Sequence, residues 1–194
     1  MATYKDIKGT SIQVVSSDPS NPILGQIWYN TTSQSLKGLG VSSVGAWSTG
    51  GNLGAGRYGL AGAGTQTAGL AVSGEASPGL TNATEEYNGS TWSGGGNLGT
   101  TRYGLVGTGT QTAGLVMGGK TTPNAATKTT ATEEYDGSSW TNGGALTTAR
   151  FFLGSAGTQT AGLAFGGDIT TASTAATEEY GGTSWTNGGN MGTA

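Results

Sequence analysis

The stretch GTQTAGL, Gly64–Leu70, returns letter for letter at Gly109–Leu115 and at Gly157–Leu163, offsets of 45 and 48 residues. Downstream, Glu-Glu-Tyr stands at Glu85–Tyr87, Glu133–Tyr135 and Glu178–Tyr180, and five residues after each Tyr comes Trp92, Trp140 or Trp185. Upstream, Arg57, Arg102 and Arg150 each precede an aromatic residue and open a unit. Four landmarks in one order over three units define an internal repeat. The three extra residues of the middle unit fall between Gly119 and Glu133. Such a repeat marks an architecture in which one supersecondary unit stacks on copies of itself.

Within a unit the pattern reads as four short strands. In the first they are Arg57–Ala63, Ala68–Ser73, Ala83–Tyr87 and a fourth beginning at Ser90–Trp92, closed by Gly94-Gly95-Gly96. Asn88-Gly89 signals a type I′ turn, and Asp136-Gly137 and Gly181-Gly182 hold the same place later. No stretch shows the 3.6-residue apolar period of a helix, so the expectation is an all-β chain of antiparallel meanders. The units span about 54–98, 99–146 and 147–194. Strands this rich in Gly, Ala and Thr carry little apolar area of their own. The repeated Tyr and Trp supply it, and stacking unit on unit is what buries them.

Composition removes much chemistry. The 194 residues include 39 Gly but neither Cys nor His. Disulfides, thiolate nucleophiles, zinc fingers and iron–sulfur clusters are excluded, as are Ser–His and Cys–His arrangements. No catalytic residue, metal site or cofactor is expected. Eight Lys and Arg are scattered without forming a patch, which argues against nucleic-acid binding. No apolar run approaches the ~18 residues of a membrane span, so no membrane insertion is expected. The start, MATYKDIKGTSIQVV, lacks the apolar core of a signal peptide.

The order Arg…Gly-Gly…Tyr…Trp resembles the kelch motif, best in Arg102–Trp140 and Arg150–Trp185, with Gly118-Gly119 and Gly166-Gly167 as the double glycine. The first unit has Ser73-Gly74 there, and no unit has Asp-Pro after the Tyr. The resemblance covers about residues 50–194 and implies four-stranded propeller blades, with no bearing on function. Three units and a part fall short of the roughly four blades of the smallest propeller. A longer chain, a small ring closed by a partial blade, or blades shared between chains would each make up the difference.

Residues 1–50 differ in character. An extended anchor or linker is expected over 1–22, ending in SSDPSNP, Ser16–Pro22. A partial blade is expected over 23–53, because Trp47 lies 45 residues before Trp92. The pattern MATYKDIKGT…SSDPSNP…GQIWYN…LKG resembles the N-terminal segment of virion structural and tail-fibre-like proteins of marine tailed phages. That resemblance implies a non-enzymatic virion protein, a tail fibre, appendage or surface decoration at the tail or particle surface. Residues 1–50 would attach it to other virion proteins. The repeats would form a homo-oligomer or meet a host surface glycan or protein. A cellular kelch-type adaptor and a carbohydrate-active propeller enzyme are the alternatives.

Among individual side chains, the pairs Glu85-Glu86, Glu133-Glu134 and Glu178-Glu179 invite a catalytic reading. Adjacent strand residues point to opposite faces, however, so a pair is not a two-carboxylate site. One Glu of each pair is expected to meet the repeat Arg or the backbone. Arg57, Arg102 and Arg150 would grip a carboxylate, as in sialidases, only if they converged. The acids outside the repeat pattern, Asp6, Asp18, Glu75, Asp136 and Asp168, are few and lie in loops or termini. Trp28, Tyr29, Trp47 and the repeat aromatics are sugar-stacking candidates that serve equally as core. Variation between units concentrates in Glu75–Asn82, Lys120–Thr130 and Asp168–Ala176, where repeat scaffolds place their contacts.

Overall fold

A computed structural model describes residues 12–21, 26–38, 48–122, 127–169 and 172–193. The described residues contain strands and turns and no helix, so the chain is all-β. It divides into two compact units, Met1–Ser48 and Thr49–Ala194.

The first unit holds a three-stranded sheet: β1 (Gln13–Val15) parallel to β2 (Ile27–Asn30), and β2 antiparallel to β3 (Ser35–Gly38). A strand therefore lies within the stretch expected to be an extended linker. Its underside is gathered by Asp18, whose carboxylate accepts from Trp28 Nε1 (3.0 Å), Asn30 Nδ2 (2.7 Å) and Lys37 Nζ (2.7 Å). Lys37 first, then Trp28 and Asn30, hold the Asp18 pKa down at about 2. On the other face Val14, Tyr29 and Leu36 align across the three strands beside Ile27. Val14, Ile27 and Leu36 are exposed. Trp47 lies outside the described residues. Residues 49–53, grouped by spacing with 23–48, belong instead to the second unit, where Gly51 O accepts from Trp92 Nε1 at 3.1 Å.

The second unit contains three four-stranded antiparallel sheets, each a meander. The first is β4 (Ala61–Thr65), β5 (Ala68–Val72), β8 (Thr84–Tyr87) and β9 (Trp92–Gly94); the pair β6 (Glu75–Ala76) and β7 (Gly79–Leu80) lies in its long loop. The second is β10 (Val106–Thr110), β11 (Ala113–Met117), β12 (Thr132–Tyr135) and β13 (Trp140–Asn142). The third is β14 (Gly154–Gly157), β15 (Gly162–Phe165), β16 (Thr177–Tyr180) and β17 (Trp185–Asn187). The sheets pack in chain order through their first strands, β4 on β10 and β10 on β14.

Two local expectations are corrected. The first strand begins at Ala61 rather than Arg57, because Gly59 takes φ +61° and breaks the extended run. Asn88-Gly89 is not a two-residue type I′ turn. Tyr87 pairs with Trp92 across a four-residue loop in which only Gly89 has positive φ, and Asn88 Oδ1 caps Ser90 N and Thr91 N at 2.9 Å. Asp136 does the same for Ser138 and Ser139, and these bonds hold its pKa near 2. The five-residue spacing from Tyr to Trp thus sets two rings opposite each other, 4.8–4.9 Å apart in every repeat.

The GTQTAGL repeat also has a steric reason. Gly64, Gly109 and Gly157 sit at φ +93°, +96° and +103°, and a Cβ on any of them would stand 2.1–2.3 Å from the carbonyl oxygen of Ala68, Ala113 or Ala161. Only glycine fits.

The core lies between sheets rather than within them. Ala61, Leu70 and Val72 meet Leu98, Leu105, Val116 and Tyr135 in one layer; Leu115 and Met117 meet Leu146, Leu153, Ala164, Tyr180 and Trp185 in the next. Each layer is keyed by a knob and a hole. Leu70 fills the space over Gly114, where a Cβ would come within 2.9 Å of it, and Leu115 fills that over Gly162, at 2.7 Å. We expect Gly114→Val to cost about 2–3 kcal/mol, the usual scale of overpacking. Urea unfolding read by Trp fluorescence checks it.

Candidate functional site

In each repeat the first Glu of the pair faces inward and takes the repeat arginine. Arg57 Nη2 meets Glu85 at 2.6 Å, Arg102 Nη2 meets Glu133 at 2.7 Å, and Arg150 Nη2 meets Glu178. The same carboxylates accept the backbone N–H of Gly54, Gly99 and Thr147. Arg102 Nη1 also donates to Gly118 O and Ala131 O, and Arg150 Nη1 to Gly166 O and Ala176 O. The arginines do not converge; each is spent inside its own repeat. Burial pulls the Arg102 pKa down, opposed by Glu133.

The second Glu crosses to the next sheet. Glu86 Oε1 accepts the Tyr135 hydroxyl at 2.6 Å, and Glu134 Oε1 accepts that of Tyr180. Trp140 Nε1 donates to Thr84 Oγ1 and Trp185 Nε1 to Thr132 Oγ1. Gln111 Nε2 donates to Gly69 O and Tyr87 O, and Gln159 Nε2 to Gly114 O and Tyr135 O. Nothing in the sequence revealed these crossings beyond the fact of repetition. The repeat tryptophans and tyrosines are thus engaged between rings and sheets. Among the described residues no cluster of acids could hold a metal ion.

What varies between repeats gathers elsewhere. Tyr58 pairs through its backbone with Glu75, Tyr103 with Lys120, and Phe151 with Asp168. These three contacts bring the aromatic after each repeat arginine against the first residue of each variable loop. The three sites join in one row. Tyr58 and Tyr103 meet edge to face at 6.5 Å, Tyr103 and Phe152 at 6.0 Å, and Phe152 lies on Phe151 at 4.8 Å. Gly104 N donates to Gly59 O and Phe152 N to Gly104 O, both at 2.7 Å, so a backbone ladder runs beneath the rings from repeat to repeat. Lys120 Nζ stands 3.7 Å over the Phe151 ring, with Lys128 at 5.6 Å. At the first-repeat end, an open cavity of about 460 Å³ is lined by Gly56–Tyr58 and Glu75–Pro78. Glu75 raises the Tyr58 hydroxyl pKa by accepting its hydrogen bond.

One side chain in the row is strained. Gly59, Gly104 and Phe152 occupy equivalent positions at φ +61°, +64° and +49°. A Cβ on Gly59 would press on Tyr103, and one on Gly104 on Phe152, whereas Phe152 has no following repeat above it among the described residues and stands exposed. The row therefore offers an edge of aromatic rings flanked by Glu75, Lys120 and Asp168. Its chemistry is that of stacking, hydrogen bonding and charge.

Comparison with protein-family models and with curated proteins finds no match.

Phe152→Gly should change stability by less than about 1 kcal/mol. Relief of the left-handed backbone, about 1–2 kcal/mol, is offset by glycine entropy and the lost ring contact. Gly104→Ala should cost about 2 kcal/mol, since the strain is added and nothing is relieved. Chemical denaturation of both variants decides it.

A second expectation concerns pH. Burial first, then the bond to Glu86, pushes the Tyr135 pKa up to about 12. Unfolded Tyr titrates near 10. The folded chain holds this proton more tightly, so the contribution is whole below pH 10 and lost as pH rises from 10 to about 12. Tyr135→Phe should flatten the decline in melting temperature over that window.

Proposed function

We propose that this chain is a non-enzymatic structural and binding protein of a tailed-phage particle, held to its neighbours by residues 1–50 and presenting the loop face of its repeats outward. The observation that carries the reading is a separation of roles. Most residues that recur in every repeat are bonded or packed inside the stack, and residues that differ are collected along the Tyr58–Tyr103–Phe152 edge. An enzyme needs at least one asymmetric pair of groups in a cleft. Here the repeated acids are bonded to Arg, Tyr or backbone, with Glu179 as the exception, and the unrepeated Glu75 and Asp168 stand in separate loops.

Attachment through the N-terminal unit rests on the exposed apolar row Val14–Tyr29–Leu36 with Ile27, an apolar face of the kind that partners cover. The setting rests on the resemblance of residues 1–50 to the attachment segments of tail-fibre-like virion proteins. The kelch-like reading of the repeats is consistent with four-stranded antiparallel sheets in series. Contacts at the loop face are individually weak, and copy number on a particle multiplies them.

Mass spectrometry of purified particles from the natural source should recover peptides of this chain. Val14→Asp with Leu36→Asp should abolish incorporation while the repeats keep their melting temperature. A joint Tyr58→Ala, Lys120→Ala and Asp168→Ala change should preserve incorporation and reduce adsorption to the host by about tenfold or more, as loss of multivalent contacts does. Recovery of the chain only from the soluble fraction of the cell would overturn the reading.

A further inference from the structure

We infer that the two end faces of the repeat stack are complementary halves of the contact that already joins its sheets, and that a second copy of this chain docks there head to tail. The inference deepens the assembly part of the reading above, and it is independent of what the loop face binds.

Each internal contact uses the same parts. A leucine of one sheet covers a glycine of the next: Leu70 over Gly114, Leu115 over Gly162. The next member of the series, Leu163, is left half-buried, and Gly69, the receiving position of the first sheet, has no leucine over it among the described residues. A glutamate accepts a tyrosine hydroxyl from the next sheet: Glu86 from Tyr135, Glu134 from Tyr180. Glu179 is exposed, its carboxylate meeting no donor among the described residues. It nevertheless sits against Gly188 as Glu86 sits against Gly95 and Glu134 against Gly143, each Oε1 3.1 Å from the place of a Cβ. Gln111 and Gln159 are half-buried and donate back across the contact, while Gln66 in the first sheet is exposed. The acceptors it would meet are Gly162 O and Tyr180 O.

Exposure points the same way. Among the described residues of this unit, the exposed large apolar side chains are Tyr58, Phe152 and Met191. Tyr58 begins the aromatic row on the first repeat, and Phe152 ends it on the third. Met191 bonds to its sheet as Leu98 and Leu146 do, through Met191 N to Ala175 O, yet those two leucines are buried. Docking would cover Met191 and bring Tyr58 of one copy to Phe152 of the other, where both internal contacts have a glycine, Gly59 or Gly104, against the following aromatic, so the exposed Phe152 ring has to turn aside at that one point.

One segment must give way. Residues 50–53 lie against the first sheet where residues 95–98 lie against the second, and residues 188–191 of the docked copy need that place. The exchange surrenders the bond from Trp92 Nε1 to Gly51 O. It gives Trp92 the partner copy's Thr177 Oγ1, as Trp140 has Thr84 Oγ1. A contact of this kind is heterologous, so repeated addition closes a ring or grows a filament.

Sedimentation velocity on the intact chain from about 1 to about 100 μM should show concentration-dependent oligomers. Gln66→Glu disables the front face by removing the donor and setting a carboxylate against two carbonyls. Leu163→Asp disables the back face, and Glu179→Ala, a change at an exposed position, serves as a second back-face variant. Each should weaken self-association by about tenfold or more with an unchanged melting temperature. An equimolar mixture of Gln66→Glu and Leu163→Asp should stop at dimers, because one good front face and one good back face remain. A wild-type chain that stays monomeric throughout, association that survives both changes, or a mixture that does not pair would overturn the inference. A loop-face variant that keeps Tyr58, Lys120→Ala with Asp168→Ala, should self-associate like the wild type, which separates failure here from failure of the attachment reading.

Discussion

Each arginine–glutamate pair is made between the segment that leads into a sheet and that sheet's third strand, so it closes the repeat on itself. The guanidinium is buried and spread over a carboxylate and two backbone carbonyls in the second and third repeats. Burying such a pair gains little in net stability, but removing one partner leaves a charge stranded at a cost of about 3–5 kcal/mol. The Nε of Arg57, Arg102 and Arg150 is buried and unbonded in every case, a recurring cost that the fold carries. What the pair secures is geometry. It sets where the lead-in segment crosses the sheet, and hence where Tyr58, Tyr103 and Phe151 emerge beside the variable loops.

With the repeat closed internally, the sheets are free to share everything else. A sheet of Gly, Ala and Thr has too little apolar area to stand alone, and the core is accordingly built between neighbours. The second Glu, the Tyr hydroxyl, the Trp ring nitrogen and the Gln side chain all cross that boundary. Two adjacent glutamates thus do opposite jobs, one within the repeat and one between repeats, as the alternation of side chains along a strand requires.

Much of this was legible in the letters. Repetition located the units, the Asn-Gly, Asp-Gly and Gly-Gly pairs marked where the chain turns between third and fourth strands though not the kind of turn, and the arginine found its glutamate. Other features were hidden for physical reasons. Tyr58–Leu60 looked like strand because its residues are apolar or aromatic, but Gly59 at positive φ turns the chain there. Ser73 in place of a glycine looked like a departure from the pattern. Its hydroxyl bonds Thr81 O and Arg102 O and accepts from Arg102 N, which supports a side chain at φ +60°. The crossing bonds depend on which sheet faces which, and spacing along one chain does not encode that. At the N-terminus a 45-residue interval suggested a partial repeat; Trp47 lies outside the described residues, residues 50–53 lie against the first sheet as 95–98 lie against the second, and Gln13–Gly38 holds a three-stranded sheet whose parallel pair no interval announced.

The three extra residues of the middle repeat lie wholly in the loop between Gly119 and Glu133. The strands on either side, Ala113–Met117 and Thr132–Tyr135, keep the register of their counterparts in the other sheets. Lengthening such a loop costs only a slowly growing closure entropy, well under about 1 kcal/mol for a few residues. Sequence drift can therefore rewrite this rim, by insertion as well as by substitution, while the stack beneath stays as it is. A lineage under pressure to change what it touches could do so one loop at a time, without renegotiating the fold.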